Sequence, residues 1–120
     1  MTEGRLTGVP NELARCLRDA QLCAEACESY LGVLPESEDV ELQARANEML
    51  ATPAAVARVL IDVTDHPTEL VLAAARLCRD ATRDGAQAAR SLPGAEAVVT
   101  AMETSAESCA RLLDATSETH

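Results

Sequence analysis

The chain has 120 residues, enough for one domain and little more. Apolar residues make up 48% of it, yet there is no Trp or Phe and Tyr30 is the one aromatic residue; Ala, Leu and Val carry the apolar volume, which suits closely packed helices and argues against a sandwich or sheet. With 20 acidic and 10 basic residues the net charge is −10, so phosphate backbones and anionic lipid are repelled, which disfavours nucleic acid and membrane as partners.

Met1 to Pro10 reads as a short polar lead without a basic stretch followed by an apolar one, and no apolar run approaches a membrane span; both features predict a cytoplasmic protein. Pro10 to Leu31 is the first predicted helix. Leu13, Cys16/Leu17, Ala20, Cys23/Ala24, Cys27 and Tyr30/Leu31 recur at three- and four-residue steps, and Gly32 is the expected stop. A connection over residues 33–37 leads to a second helical region from about Glu38 to Thr64, with Ser37 as its expected cap and Glu38 and Asp39 in the first turn. Pro53 interrupts this region, predicting one kinked helix or two nearly continuous pieces. The later piece has Val56, Val59/Leu60 and Val63 on its apolar face.

Asp65-His66-Pro67 breaks the chain, and Pro67 opens a third helix to about Arg90, with Leu70, Ala74, Leu77/Cys78, Ala81, Gly85 and Ala89 as its stripe. Ser91-Leu92-Pro93-Gly94 is a short turn. The fourth helix runs from about Ala95 to Ala115, with Val98, Met102, Ser105, Cys109, Leu112 and Thr116 in line. Four helices, each with one apolar face and joined by short links, predict an all-α protein: a single antiparallel four-helix bundle over residues 1–120, with 1–9 and 117–120 flexible.

Five cysteines are an odd number, and a reducing compartment keeps them as thiols, so a disulfide framework is not expected. Cys16, Cys23 and Cys27 are seven and then four residues apart, which puts all three on one helix face, with i,i+4 neighbours about 5–6 Å apart at Cβ. Cys78 and Cys109 fall on the inner stripes of their own helices. Soft sulfur ligands select Cu(I), Zn or iron–sulfur clusters. Structural zinc and iron–sulfur sites favour Cys-x2-Cys on turns and loops, a spacing this sequence lacks, whereas Cu(I) is satisfied by two or three sulfurs. Met102, two turns before Cys109, adds a candidate thioether. The candidate metal ligands are thus Cys16, Cys23, Cys27, Cys78, Cys109 and Met102. The alternative reading is that these cysteines are small apolar packing residues, a common role for a buried thiol.

The run Cys16-Leu-Arg-Asp-Ala-Gln-Leu-Cys-Ala-Glu-Ala-Cys27 resembles the first helix of the bacterial four-helix-bundle copper storage proteins. Pro67-Thr-Glu-Leu70 with Leu77-Cys-Arg-Asp-Ala81 resembles the start of that family's third helix, and Glu107-Ser-Cys-Ala-Arg-Leu-Leu113 the end of its fourth. The resemblance implies Cu(I) stored by cysteines lining the bundle core, and assembly into homo-oligomers. It carries ligands over only where a cysteine stands: Cys16, Cys23, Cys27, Cys78 and Cys109. The second helix has no cysteine, and Thr82, Gly85, Ala89, Met102 and Ser105 hold inner positions where thiols would be expected. Reduced capacity follows.

Little else points to chemistry. His66 lies in a loop, where it reads as a solvated turn residue, and His120 is terminal. Two histidines in no cluster, scattered glycines and no Glu-x-x-His pair leave no catalytic or phosphate-binding pattern, so the chain is not expected to be an enzyme. Two further readings compete with copper binding. One is a structural or protein-interaction bundle whose metal site has been lost; the other is a thiol redox sensor, which would need exposed cysteines of low pKa.

Overall fold

The computed structural model describes residues 10–33 and 39–118. Four helices account for 88% of the described residues, with no strand among them. They are α1 (Pro10–Val33), α2 (Val40–Asp62), α3 (Thr68–Ala89) and α4 (Glu96–Glu118). At 1.5 Å per residue each is roughly 33–36 Å long. Each helix packs chiefly on its neighbours in sequence, and α4 closes the ring on α1. The two short dimensions, 21 and 17 Å, hold helices two by two at the usual spacing of about 8–10 Å.

Local chemistry fixes the ends. α2 starts at Val40 because the carboxylate of the preceding residue, Asp39, accepts a hydrogen bond from the Leu42 N–H at 2.9 Å. The predicted cap, Ser37, lies outside the described residues, and the helix begins at Val40 rather than Glu38. α1 continues through Gly32 to Val33, one residue beyond its expected stop, since Gly32 does not adopt the left-handed conformation that ends helices. Gly94 does, at φ 69°, and turns the chain between α3 and α4. At the start of α3 the Pro67 carbonyl accepts from the Leu70 and Val71 N–H groups. α4 runs three residues past Ala115; Leu112, Leu113 and Thr116 are buried there, and the Thr116 hydroxyl donates to the Leu113 carbonyl at 2.9 Å.

α2 is one helix through Pro53, not two. The missing Pro53 N–H leaves the Met49 carbonyl without its helical donor. Packing compensates: Pro53 is buried, and its ring lies over Gly85 of α3, where an added Cβ would sit 2.7 Å from Pro53 Cγ and 2.9 Å from Met102 Sδ. Gly85 is therefore a point of close approach of α2 and α3, and Met102 of α4 completes the contact.

The core is narrow and built from small side chains. One layer holds Cys16, Ala20, Ala57, Leu60, Val71, Ala75, Cys78, Cys109 and Leu112; the next holds Cys23, Cys27, Ala46, Leu50, Ala86, Ala89, Val98 and Met102. The stripe of α4 is as predicted, every one of its six residues being buried. On α2 and α3 the predicted stripes hold at Leu60, Ala74, Cys78, Gly85 and Ala89, which are buried, and Thr82 faces inward as expected; Val59, Leu70 and Leu77 instead are 47%, 43% and 61% exposed, and Ala57 and Ala75 are buried in their stead. A bundle this slim brings backbones together over Ala, Gly and Thr, with Leu50, Leu60, Leu112 and Met102 as the large side chains fully buried among them. No described helix is long and apolar enough to cross a membrane.

Candidate metal centre

All five cysteines are fully buried, each with zero accessible surface, and all are free thiols. On α1, Cys23 and Cys27 are one turn apart, and each shifts the other's proton affinity. Across the α1–α4 seam the Sγ atoms of Cys16 and Cys109 are 3.4 Å apart. Cys78 of α3 is near enough to Cys109 to be raised by it, and its sulfur is 3.7 Å from the Ser105 hydroxyl. Cys23 also feels the charge of Cys78 and Cys109, so the two groups of thiols lie close in one interior. Met102 is fully buried in the layer of Cys23 and Cys27, over Gly85.

The protons are held unevenly. The hydrogen bond to Cys27, followed by burial, pushes Cys23 far above the usual thiol range. The same bond lowers Cys27, against the opposing effects of burial and the Glu28 carboxylate. Cys78 is raised by its hydrogen bond to Cys109 and then by burial. Cys109 is raised chiefly by its bond to Cys16, with Cys78 and Ser105 pulling the other way. Cys23, Cys78 and Cys109 therefore hold their protons at neutral pH, and Cys27 is the readier of its pair to ionise. Such buried groups are poor redox sensors, which require an exposed thiolate.

Among the described residues no three His, Cys, Asp or Glu side chains close on one point to hold an ion. Sulfur donors meet in pairs, which excludes a ready-made tetrahedral site and leaves the two-sulfur arrangement that a soft monovalent cation accepts. The places where further thiols were expected are filled otherwise. Thr82 turns its hydroxyl back to the Cys78 carbonyl at 2.6 Å, Ser105 faces Cys78, and Gly85 is covered by Pro53 and Met102. His66 is exposed in the α2–α3 turn, far from any part in the thiol interior.

The match to known families covers residues 9–120 and is to the copper storage proteins. The chain belongs to the copper storage protein family. Comparison with curated proteins and with solved structures gives no match. Membership gives the buried thiols of this copper storage protein a context that burial alone does not, because an interior of cysteine is also compatible with simple packing. The family is one of storage proteins and not a known family of enzymes.

One feature of the site has no counterpart in the sequence reading. Asp19 of α1 is buried, 6% exposed, and accepts a short hydrogen bond from the Ser108 hydroxyl of α4, with the Arg18 guanidinium 3.6 Å away. The signal was present: Asp19 is three residues from Cys16 and Ser108 adjoins Cys109, so both flank the inward stripes.

Proposed function

We propose that this chain binds Cu(I) between thiolates inside an antiparallel bundle, as a cytosolic storage-type protein of reduced capacity. The observation that carries this reading is the Cys16–Cys109 pair, two sulfurs from different helices held 3.4 Å apart with no access to water. A soft cation entering such a pair replaces two protons and gains two sulfur ligands in an environment without competing oxygen ligands of comparable softness. Cys23 and Cys27 form the second pair, Cys78 extends the first, and Met102 supplies a thioether beside the second. Reduced capacity follows from α2, which contributes no sulfur beyond Met49, and from the Thr, Gly and Ser at inner positions of α3 and α4. About two ions per chain, one for each pair, is the expected load.

The antiparallel arrangement is supported by links of five and six residues between helices some 35 Å long. It is supported too by partners whose numbers fall, along α4 and the turn before it, as they rise along α1: Cys16 with Cys109, Asp19 with Ser108, and Tyr30 with the Pro93 carbonyl. A bend in α2 at Pro53 belongs to the same reading, from the lost hydrogen bond there. The cytosol is favoured because it keeps five thiols reduced. Assembly with further copies would cover Leu70 and Leu77, stacked two turns apart on the outside of α3.

Anaerobic Cu(I) titration against a chromophoric chelator tests the function. The wild-type chain withdraws about two equivalents, and a variant with all five cysteines changed to Ser withdraws none. Equal behaviour of the two chains would remove the proposal. A purely structural bundle is the competing reading, supported by the filled positions at Thr82, Gly85 and Ser105. It predicts a melting temperature that copper does not move.

A further inference from the structure

The two sulfur pairs differ in what holds them. Cys23 and Cys27 stand on one helix, so the helix itself fixes their spacing, whereas Cys16 and Cys109 meet only as closely as α1 sits against α4. Toward the middle of the bundle that pair is followed by small buried side chains, Ala20 and Ala24 on α1 and Ala106 on α4. On its outer side the α1–α4 seam leaves a cavity of about 460 Å³, with Leu22, Ala97 and Ala101 in its lining. A seam of small side chains sets the separation of two helices less sharply than interlocking large ones. A metal site needs its ligands held to about 0.5 Å.

A directional contact stands within one turn of the pair. Ser108 adjoins Cys109, Asp19 is three residues from Cys16, and the Ser108 hydroxyl donates to one oxygen of the Asp19 carboxylate. Both side chains are buried, at 4% and 6% exposure. The Arg18 guanidinium near the other oxygen belongs to α1 as well, so it is Ser108 that ties Asp19 to α4. The ion pairs between other helices, Glu28 with Arg58 and Arg90 with Glu103, are exposed, and such pairs contribute little. A buried hydrogen bond to a carboxylate is stronger and is costly to leave unmade.

We propose that the Asp19–Ser108 hydrogen bond is the clamp that sets α1 on α4 and so holds Cys16 and Cys109 at ligating distance. Asp19 and Ser108 are then positioning residues of the interhelical copper site and touch no metal themselves. The use of this clamp rests on the Cu(I)-binding reading, but the clamp itself belongs to the apo chain. Buried polar contacts of this kind fix helix register in other bundles, often with little net gain in stability. The clamp therefore acts on one sulfur pair and not on the other: Cys23 and Cys27 keep their spacing however α1 shifts.

The test isolates each pair in the full chain: C23S/C27S/C78S leaves Cys16 and Cys109, and C16S/C78S/C109S leaves Cys23 and Cys27. Into each background go Asp19→Ala with Ser108→Ala, which removes both partners, and Asp19→Asn, which keeps an acceptor for Ser108. Chelator competition then shows the Cys16–Cys109 pair losing about tenfold in Cu(I) affinity in D19A/S108A and staying within about threefold in D19N. The Cys23–Cys27 pair is unmoved by either. Tyr30→Phe, which removes the other hydrogen bond from α1, to the Pro93 carbonyl, leaves the Cys16–Cys109 affinity as it was. On the reduced apo wild-type chain, NMR shows nuclear Overhauser contacts from Cys16 to α4 that weaken in D19A/S108A and persist in D19N. Ser108→Ala alone moves both readouts in the same direction, so the test survives if the double variant does not fold. Equal losses at the two pairs, D19N behaving like D19A/S108A, or Cys16 contacts indifferent to both partners overturns the clamp. If the Cys16–Cys109 chain takes up no Cu(I), the functional reading falls, and the nuclear Overhauser contacts of the apo protein still decide the clamp.

Discussion

Cys16 on α1 and Cys109 on α4 bring their sulfurs to 3.4 Å across 93 positions of sequence. Both are fully buried, so the pair is a product of helix packing and not of local flexibility. If the two ligate one ion, their removal is not additive. Cys16→Ser and Cys109→Ser each lose about one equivalent of Cu(I), and the double variant loses no more than either single one. Losses that add would show that the two sulfurs serve separate ions. Chelator-competition titration of the three variants decides between these outcomes.

Ser105→Cys should restore capacity. The Ser105 hydroxyl is fully buried and 3.7 Å from the Cys78 sulfur, so a thiol there pairs with Cys78, which otherwise only extends the Cys16–Cys109 pair. The substitution swaps one small side chain for another and should change stability by less than about 1.5 kcal/mol. Up to about one additional equivalent of Cu(I) is expected by the same titration.

Gly85→Ala should destabilise the bundle by about 1–3 kcal/mol, because the new methyl group overlaps the rigid Pro53 ring as well as the movable Met102 thioether. Urea unfolding measures the loss. In a Pro53→Ala background the same change should cost markedly less, since only the flexible Met102 end then has to yield.

Alkaline pH should weaken the apo protein. Cys23, Cys78 and Cys109 hold their protons more tightly when folded, so above the unfolded thiol value of about 8.5 the folded chain binds more protons and stability falls as pH rises. Each contributes a slope of up to about 1.4 kcal/mol per pH unit. Cys27 works in the opposite sense: its folded value is lowered, so its contribution is present above the unfolded value and is lost as pH falls through the folded one. Three groups outweigh one. The melting temperature of the reduced apo chain should drop between about pH 8.5 and 10, and that of the Cu(I)-loaded chain should stay nearly level because its thiols are already deprotonated.

Helix number and placement were legible because three- and four-residue periodicity and proline punctuation survive without knowledge of tertiary contacts. The α4 stripe was read residue for residue. On α2 and α3 the expected face holds at Leu60, Ala74, Cys78, Gly85 and Ala89, and the exceptions are Val59, Leu70 and Leu77, which look like core by size but stand at the edge of the stripe and are exposed. At Pro53 the sequence leaves one kinked helix and two nearly continuous pieces both open, because the missing hydrogen bond can be counted there but the Gly85 surface that accommodates the ring cannot; α2 is one helix through it. Spacing placed Cys16, Cys23 and Cys27 on one face, and the structure puts them inside. It could not give the register between helices, so the pairing of Cys16 with Cys109, and of Asp19 with Ser108, had to come from packing.

Copper K-edge X-ray absorption on the protein loaded anaerobically with two equivalents tests the account at its centre. Metal held between buried thiolates gives the edge of Cu(I) and a first shell of sulfur alone, at a low coordination number, and the shell disappears in the chain with all five cysteines changed to Ser. A first shell of oxygen or nitrogen, or the same spectrum from the chain without cysteine, would contradict it.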